Sequence, residues 1–159
     1  MKKIILCLLL GISLLKAECS VLGFELGVTT LKEIGKKTKL EIIDKNTARI
    51  SPELFGIEGL EDVELRYRGE KVYQIGLLFE PSQKKYWELK KVLKSKYHLY
   101  AESEEKIGAG LAGDVTFFAK DNKNCLVWLN VVEIENKGEG ILFIYYALVN
   151  AITPEEKYL

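Results

Sequence analysis

The stretch Asp62-Val63-Glu64-Leu65-Arg66-Tyr67-Arg68-Gly69-Glu70-Lys71-Val72-Tyr73-Gln74-Ile75-Gly76-Leu77-Leu78-Phe79 decides how this chain is read. Val63, Leu65 and Tyr67 alternate with Glu64, Arg66 and Arg68. The chain turns at Gly69-Glu70, and Tyr73, Ile75, Leu77 and Phe79 resume the alternation. Period-two patterning around a turn predicts a β-hairpin with one dry and one wetter face.

Working outward, Pro81 stops the strand and Ser82 can cap a helix over Gln83 to Tyr97. Tyr86, Leu89, Leu93 and Tyr97 fall at i, i+3, i+7 and i+11, an apolar stripe suited to lying on a sheet. Beyond a glycine-rich loop, strands are predicted at Val115–Lys120, Cys125–Glu135 and Ile141–Leu148, joined by Asp121–Asn124 and Asn136–Gly140. Toward the N-terminus, Thr30 with Glu33 forms a capping box ahead of a short helix from Leu31 to about Lys37, weakened by Gly35. Leu40 and Ile42, then Ala48 and Ile50, have strand spacing, and residues 51–61 read as loop.

These elements predict an α+β protein, with helices packed on one face of antiparallel sheet. Each half offers a helix, an irregular stretch with glycines, and a hairpin beginning Asp-Val, at Asp62-Val63 and Asp114-Val115. The expectation is two degenerate helix-plus-hairpin repeats, about 24–80 and 81–150, within one domain over 18–159. They share one sheet or form two abutting sheets.

A chain of 159 residues with 48% apolar composition can build a core and is too hydrophobic for a disordered segment. Its 23 basic and 23 acidic residues argue against a nucleic-acid binder driven by global positive charge. One His and three Cys exclude most zinc architectures, and no cofactor or metal is expected.

Residues 1–17 read as a signal peptide: Lys2 and Lys3, an apolar run from Ile4 to Leu15, and a small residue, Ala17, at the cleavage position. The run is shorter than the about 20 residues that span a bilayer. The predicted location is therefore the periplasm or the exterior, with no transmembrane span. Cleavage leaves 20 basic against 23 acidic residues, because only Lys2, Lys3 and Lys16 are lost. Lys16, Ala17 and Glu18 displace the lipoprotein pattern before Cys19 by one position, so a lipid anchor is not expected. Cys7 leaves with the signal. Cys19 and Cys125 then remain, either as a disulfide, expected in an oxidising compartment, or as two unpaired thiols.

With the signal peptide, Leu26-Gly27-Val28-Thr29-Thr30-Leu31-Lys32-Glu33 resembles small periplasmic outer-membrane assembly proteins of the SmpA/OmlA kind. It is also similar to the tandem-repeat β-lactamase inhibitor proteins that share their architecture. The resemblance implies helices on an antiparallel sheet and a role in binding other proteins. The lipid-anchoring Cys of the assembly lipoproteins has no counterpart at the matching position.

Several motifs tempt a catalytic reading. Gly108-Ala109-Gly110-Leu111-Ala112-Gly113 spells the dinucleotide fingerprint, but the strand-like Val115-Thr116-Phe117-Phe118 follows where a helix N-terminus is required. A flexible loop or wide turn between strands is expected there. Ser82-Gln83-Lys84-Lys85 and Ser103-Glu104-Glu105-Lys106 both fit S-x-x-K, without the partner motifs of penicillin-binding enzymes. His98 stands three residues after Ser95 with no identifiable third group. Asp121-Asn122-Lys123-Asn124 lacks the Gly and Glu of a calcium loop. Glu102, Glu104 and Glu105 read as a solvated run. No catalytic residue is nominated and no enzymatic activity is expected.

One constellation survives. At roughly 100° per residue, Trp87 lies about 140° from the centre of the stripe of Tyr86, Leu89, Val92, Leu93 and Tyr97. Lys84, Lys91, Lys94 and His98 share its face. This face could meet an envelope protein or an anionic surface; alternatively lysine stems or a loop cover the indole. Trp128 reads as core. The sequence thus points to an exported, non-catalytic binding protein acting by protein–protein interaction through a sheet edge or helix face, inhibitor- or assembly-factor-like. The alternatives are a carrier of a small apolar ligand or lipid near Trp128 and the 141–148 strand, and, third, an envelope-polymer hydrolase with a carboxylate pair in a cleft. Oligomeric state is left open.

Overall fold

A computed structural model describes residues 19–133 and 139–152. The signal peptide expected over 1–17 and most of the expected Asn136–Gly140 join lie outside these residues. A two-stranded ribbon, β1 (Ser20–Val21) and β2 (Phe24–Glu25), precedes α1 (Leu31–Gly35). Then come β3 (Leu40–Ile42), β4 (Thr47–Ile50), β5 (Leu60–Arg68) and β6 (Lys71–Phe79). The second half is α2 (Gln83–Lys96), β7 (Tyr97–Ile107), β8 (Gly110–Ala119), β9 (Asn122–Glu133) and β10 (Gly140–Leu148).

Strands β3 to β10 form one antiparallel sheet of eight strands in the order β3-β4-β5-β6-β10-β9-β8-β7. Two four-strand meanders therefore meet at their last strands, with Leu77 opposite Ile144 and Ile75 opposite Tyr146. The predicted hairpin is β5–β6, and Val63, Leu65, Ile75, Leu77 and Phe79 all turn to the core as the alternation requires. Leu142 and Ile144, Val127, Leu129 and Val131, and Val115 and Phe117 continue that face across the other half.

This face is covered by Tyr86, Leu89 and Leu93 of α2, Ile34 of α1, and Phe24 and Leu26. Burying each large apolar side chain contributes about 1.5–3 kcal/mol, which is what holds α2 down. Its first turn is closed by Ser82, whose Oγ accepts the Lys85 N–H at 3.3 Å. The capping box of α1 is formed: Glu33 N–H donates to Thr30 Oγ1 at 3.3 Å and Thr30 N–H to Glu33 Oε2 at 2.8 Å. Cys19 and Cys125 are joined, with Cα atoms 5.2 Å apart, which ties the ribbon to β9.

The α+β expectation is overturned. The described residues are 55% strand, and of their two α-helices only α2 is longer than α1's five residues. The chain is a mostly-β protein built on a single sheet, not layered helices on sheet. Two features of the chain account for the difference. The predicted helix of the first half ends at Gly35, whose backbone freedom disfavours a helix interior. The charged stretch after α2 is strand β7, an edge strand with ten of eleven residues exposed, so it shows none of the apolar alternation that marks half-buried strands.

The glycine-rich segment is also corrected. Only Gly108 and Ala109 make the turn, with Gly108 at φ 63°, and Gly110 to Gly113 already lie in β8. Gly113 faces inward, where a Cβ would stand 2.7 Å from Tyr86 Oη and 3.2 Å from Val131 Cγ1. Its glycine serves close packing of α2 on the sheet, and no helix follows to receive a phosphate.

Candidate functional site

Among the described residues, the sheet face turned away from α2 has no helix over it. Backbone register lines its residues up in straight rows. Arg49, Glu64, Gly76, Tyr145, Trp128 and Thr116 oppose one another pair by pair across β4, β5, β6, β10, β9 and β8. The adjacent row runs Asp62, Leu78, Phe143, Asn130 and Asp114. Six strands at about 4.8 Å spacing make the first row about 24 Å long.

Aromatic rings occupy the centre. Trp128 meets Phe143 edge-on at 5.2 Å and stacks with Tyr145 at 6.1 Å, and Phe143 lies 4.7 Å from Tyr145. The Trp128 indole N–H donates to Asp114 Oδ1, which fixes the ring's orientation. Leu78 and Ile141 extend the apolar strip and are 36% and 49% exposed. Charges flank it: Arg49 Nε lies 3.1 Å from Asp62, and Arg66 Nε 3.5 Å from Glu64. Burial, helped by Glu64, raises the Tyr145 hydroxyl above the ordinary tyrosine range, so it stays a neutral donor at physiological pH. A groove of about 240 Å³ runs between Glu64, Gly76, Phe143 and Tyr145. A larger one of about 700 Å³ adjoins it at Arg49, Asp62 and Leu78 and continues past Leu40 and Ser51.

Trp128, read from sequence as core, is half-buried on this outer face. The signal for it was present. Ile141 to Leu148 is apolar at both parities, and only the set Leu142, Ile144 and Tyr146 turns inward. A strand apolar on both faces marks either a sheet buried on both sides or an uncovered apolar face.

The second candidate surface is the flank of α2. Lys84, Lys91 and Lys94 are exposed and Trp87 is 46% exposed on one side of α2, while His98, also exposed, is not on the helix. His98 lies in β7, and Lys94 Nζ is 2.9 Å from Glu102 Oε2. The residues that α2 turns toward β7 are instead Gln83, Trp87, Lys90 and Lys94, at i, i+4, i+7 and i+11. Gln83 Nε2 donates to Ala109 O at 2.7 Å. Lys90 is 6% exposed and pairs with Glu104 and, at 3.4 Å, with Glu102. Its ammonium also sits 4.9 Å from the Trp87 ring centroid. Tyr86 donates to Glu104 Oε1 at 2.7 Å. Desolvation, then this bond to a carboxylate, drive the Tyr86 hydroxyl far above its usual range. Lys94 holds the Glu102 carboxyl below the usual value.

Glu102 and Glu104, expected to be a solvated run, are thus the counter-charges of a seam between helix and edge strand. Sequence offered a faint hint in their i, i+2 spacing, which puts both on one face of a strand. Among the described residues, no group of three or more His, Cys, Asp or Glu side chains is placed to hold a metal ion. No helix among them is long and apolar enough to cross a membrane. Comparison with models of protein families, with curated proteins and with solved structures finds no match to this chain.

Proposed function

We propose that this chain is a non-catalytic binding protein that holds another protein of the cell envelope against the uncovered sheet face, with Trp128, Phe143 and Tyr145 at the centre of contact. The observation that carries the reading is the row geometry: rings in the middle, ion-paired charges at the flank. Interfaces concentrate their energy in central aromatic anchors ringed by polar groups. A row of about 24 Å also fits a protein surface better than a small apolar ligand, which needs enclosure.

The Cys19–Cys125 bond supports an oxidising location such as the periplasm or the exterior, as the signal peptide expects. The resemblance over Leu26–Glu33 to exported binding families agrees with it. We also take the two halves as degenerate repeats, because a helix followed by a four-strand meander occurs twice.

The test is affinity capture from periplasmic extract with the mature protein and with Trp128→Ala, Phe143→Lys and Tyr145→Ala. The captured partner is identified by mass and its Kd measured. Truncation of a central aromatic anchor is expected to weaken binding by about thirtyfold or more. A partner held equally well by all three folded variants would rule out this face.

A further inference from the structure

The two edges of the sheet are unequal. β3 is three residues long, whereas β7 has eleven, or about 35 Å at 3.2–3.4 Å per residue. An edge strand offers a row of unpaired backbone N–H and C=O groups, which proteins usually blunt with brevity, Pro or projecting charge. β7 has no Pro, and past a bulge between Leu99 and Ala101 it pairs with β8 without interruption to Ile107. Two of its acidic charges are neutralised from behind, Glu102 by Lys90 and Lys94 and Glu104 by Lys90.

Above this edge stands the β7-facing stripe of α2. Three of its four members bond β7 or its turn, and Trp87 does not. Leu99, opposite the core residue Phe117, is also 46% exposed. Both apolar groups stand where the core would continue beneath one more strand. Lys84 and Lys91 flank Trp87 at i−3 and i+4, exposed and without a counter-charge among the described residues.

We infer that the outer edge of β7 accepts, as a ninth strand, an extended segment of a different polypeptide carrying apolar side chains and carboxylates. Backbone hydrogen bonds to β7 supply the affinity, and helix-side residues of the segment cover Trp87 and Leu99 and meet Lys84 and Lys91. A second copy is the poorer occupant. It would bring its own Glu105, with Glu102 and Glu104 already engaged by its own helix, and set Lys84 and Lys91 against their like. The inference does not depend on the aromatic face, which lies on the opposite side of the sheet.

The test uses the full mature chain and two nine-residue peptides with threonine at every second position, whose other face carries valine and glutamate by turns in one and valine and lysine by turns in the other. Hydrogen exchange should slow across 97–107 with the glutamate peptide, and that peptide should bind about tenfold tighter than the lysine peptide. Lys84→Glu with Lys91→Glu should reverse the preference. Trp87→Ala, at an exposed position, should weaken binding without unfolding the chain, and Tyr145→Ala should leave it unchanged. Equal affinity for both peptides, or protection confined to β9 and β10, would overturn the inference. So would protection of β7 by concentration-dependent dimerisation in the absence of peptide.

Discussion

The Tyr145 ring lies across Gly76 on the neighbouring strand, so that a Cβ at position 76 would stand 2.5 Å from Tyr145 Cε1 and 3.0 Å from Cδ1. Gly76 sits opposite Tyr145 in the β6–β10 register, in the middle of the row that bears the candidate site. A strand-interior glycine lacks a side chain to pack, and here the neighbouring ring fills that gap. The glycine lets the ring lie down, and the ring in turn packs on Phe143 and Trp128.

Gly76→Ala is therefore expected to lift the ring and destabilise the fold by about 1–3 kcal/mol, the usual penalty of overpacking. In a Tyr145→Ala background the same substitution should be close to neutral. Chemical denaturation of the four corners of this cycle measures the coupling, and simple additivity would show that the contact carries no energy.

On the other face, Lys90 is the one charged residue of the described set that is buried, and it answers Glu102 and Glu104. Lys90 is buried but its two carboxylates keep contact with water, and Glu102 retains Lys94, so Lys90→Met should destabilise by only about 1 kcal/mol. Adding Glu104→Gln should recover part of the loss. Tyr86→Phe deletes only the hydroxyl bond to Glu104 and should lower stability by about 1.5–3 kcal/mol in the same assay.

Acid should loosen the chain through its depressed carboxyls. Glu102 is lowered chiefly by its bond from Lys94, Glu33 by the Thr30 backbone N–H and Asp44 by the Asn46 backbone N–H. A carboxyl depressed in the folded state stabilises above its unfolded value, 4.5 for Glu and 3.8 for Asp, and that contribution disappears as pH falls through the lower folded value. Thermal midpoints should accordingly decline below those values, and less steeply in Glu102→Gln.

At the alkaline end the sign reverses. Tyr86, Tyr97, Tyr145 and Tyr146 are all raised above 10.0, with burial the first cause in each. Their neutral forms stabilise the fold fully below 10.0, and the contribution is lost as pH climbs from there toward the folded values. Tyrosinate absorbance from these four should emerge together with loss of the far-ultraviolet dichroism, not before it.

The Cys19–Cys125 bond closes a separation of 106 residues. In the chain-entropy view such a crosslink contributes about 4–5 kcal/mol, so Cys19→Ala with Cys125→Ala should lower the denaturation midpoint strongly. Native protein should resist alkylation until both reductant and denaturant are present, and its intact mass should be lighter than that of the reduced chain by two hydrogens.

How much of this was legible beforehand differs from element to element. Val63 to Phe79 announced its hairpin because one face is dry and the other wet, and Tyr86, Leu89 and Leu93 announced α2 for the same reason at helical spacing. Thr30 with Glu33, a purely local pair, also marked its own cap. β7 gave no such signal, since the face it turns to α2 carries Glu102 and Glu104 rather than apolar side chains and so shows no apolar alternation. Trp128 carried an ambiguous one, because alternation states parity and not which parity is covered.

From its residues alone, then, this chain determined its β5–β6 hairpin, its longer helix and its helix caps, all set by neighbours within a few positions. Only the tertiary structure decided that the meanders join through β6 and β10 into one sheet. It also decided that Glu102 and Glu104 answer Lys90 and that Trp128, Phe143 and Tyr145 come together on an open face. Those contacts join residues far apart in the chain, and their geometry follows from strand register, which depends on packing the whole core at once.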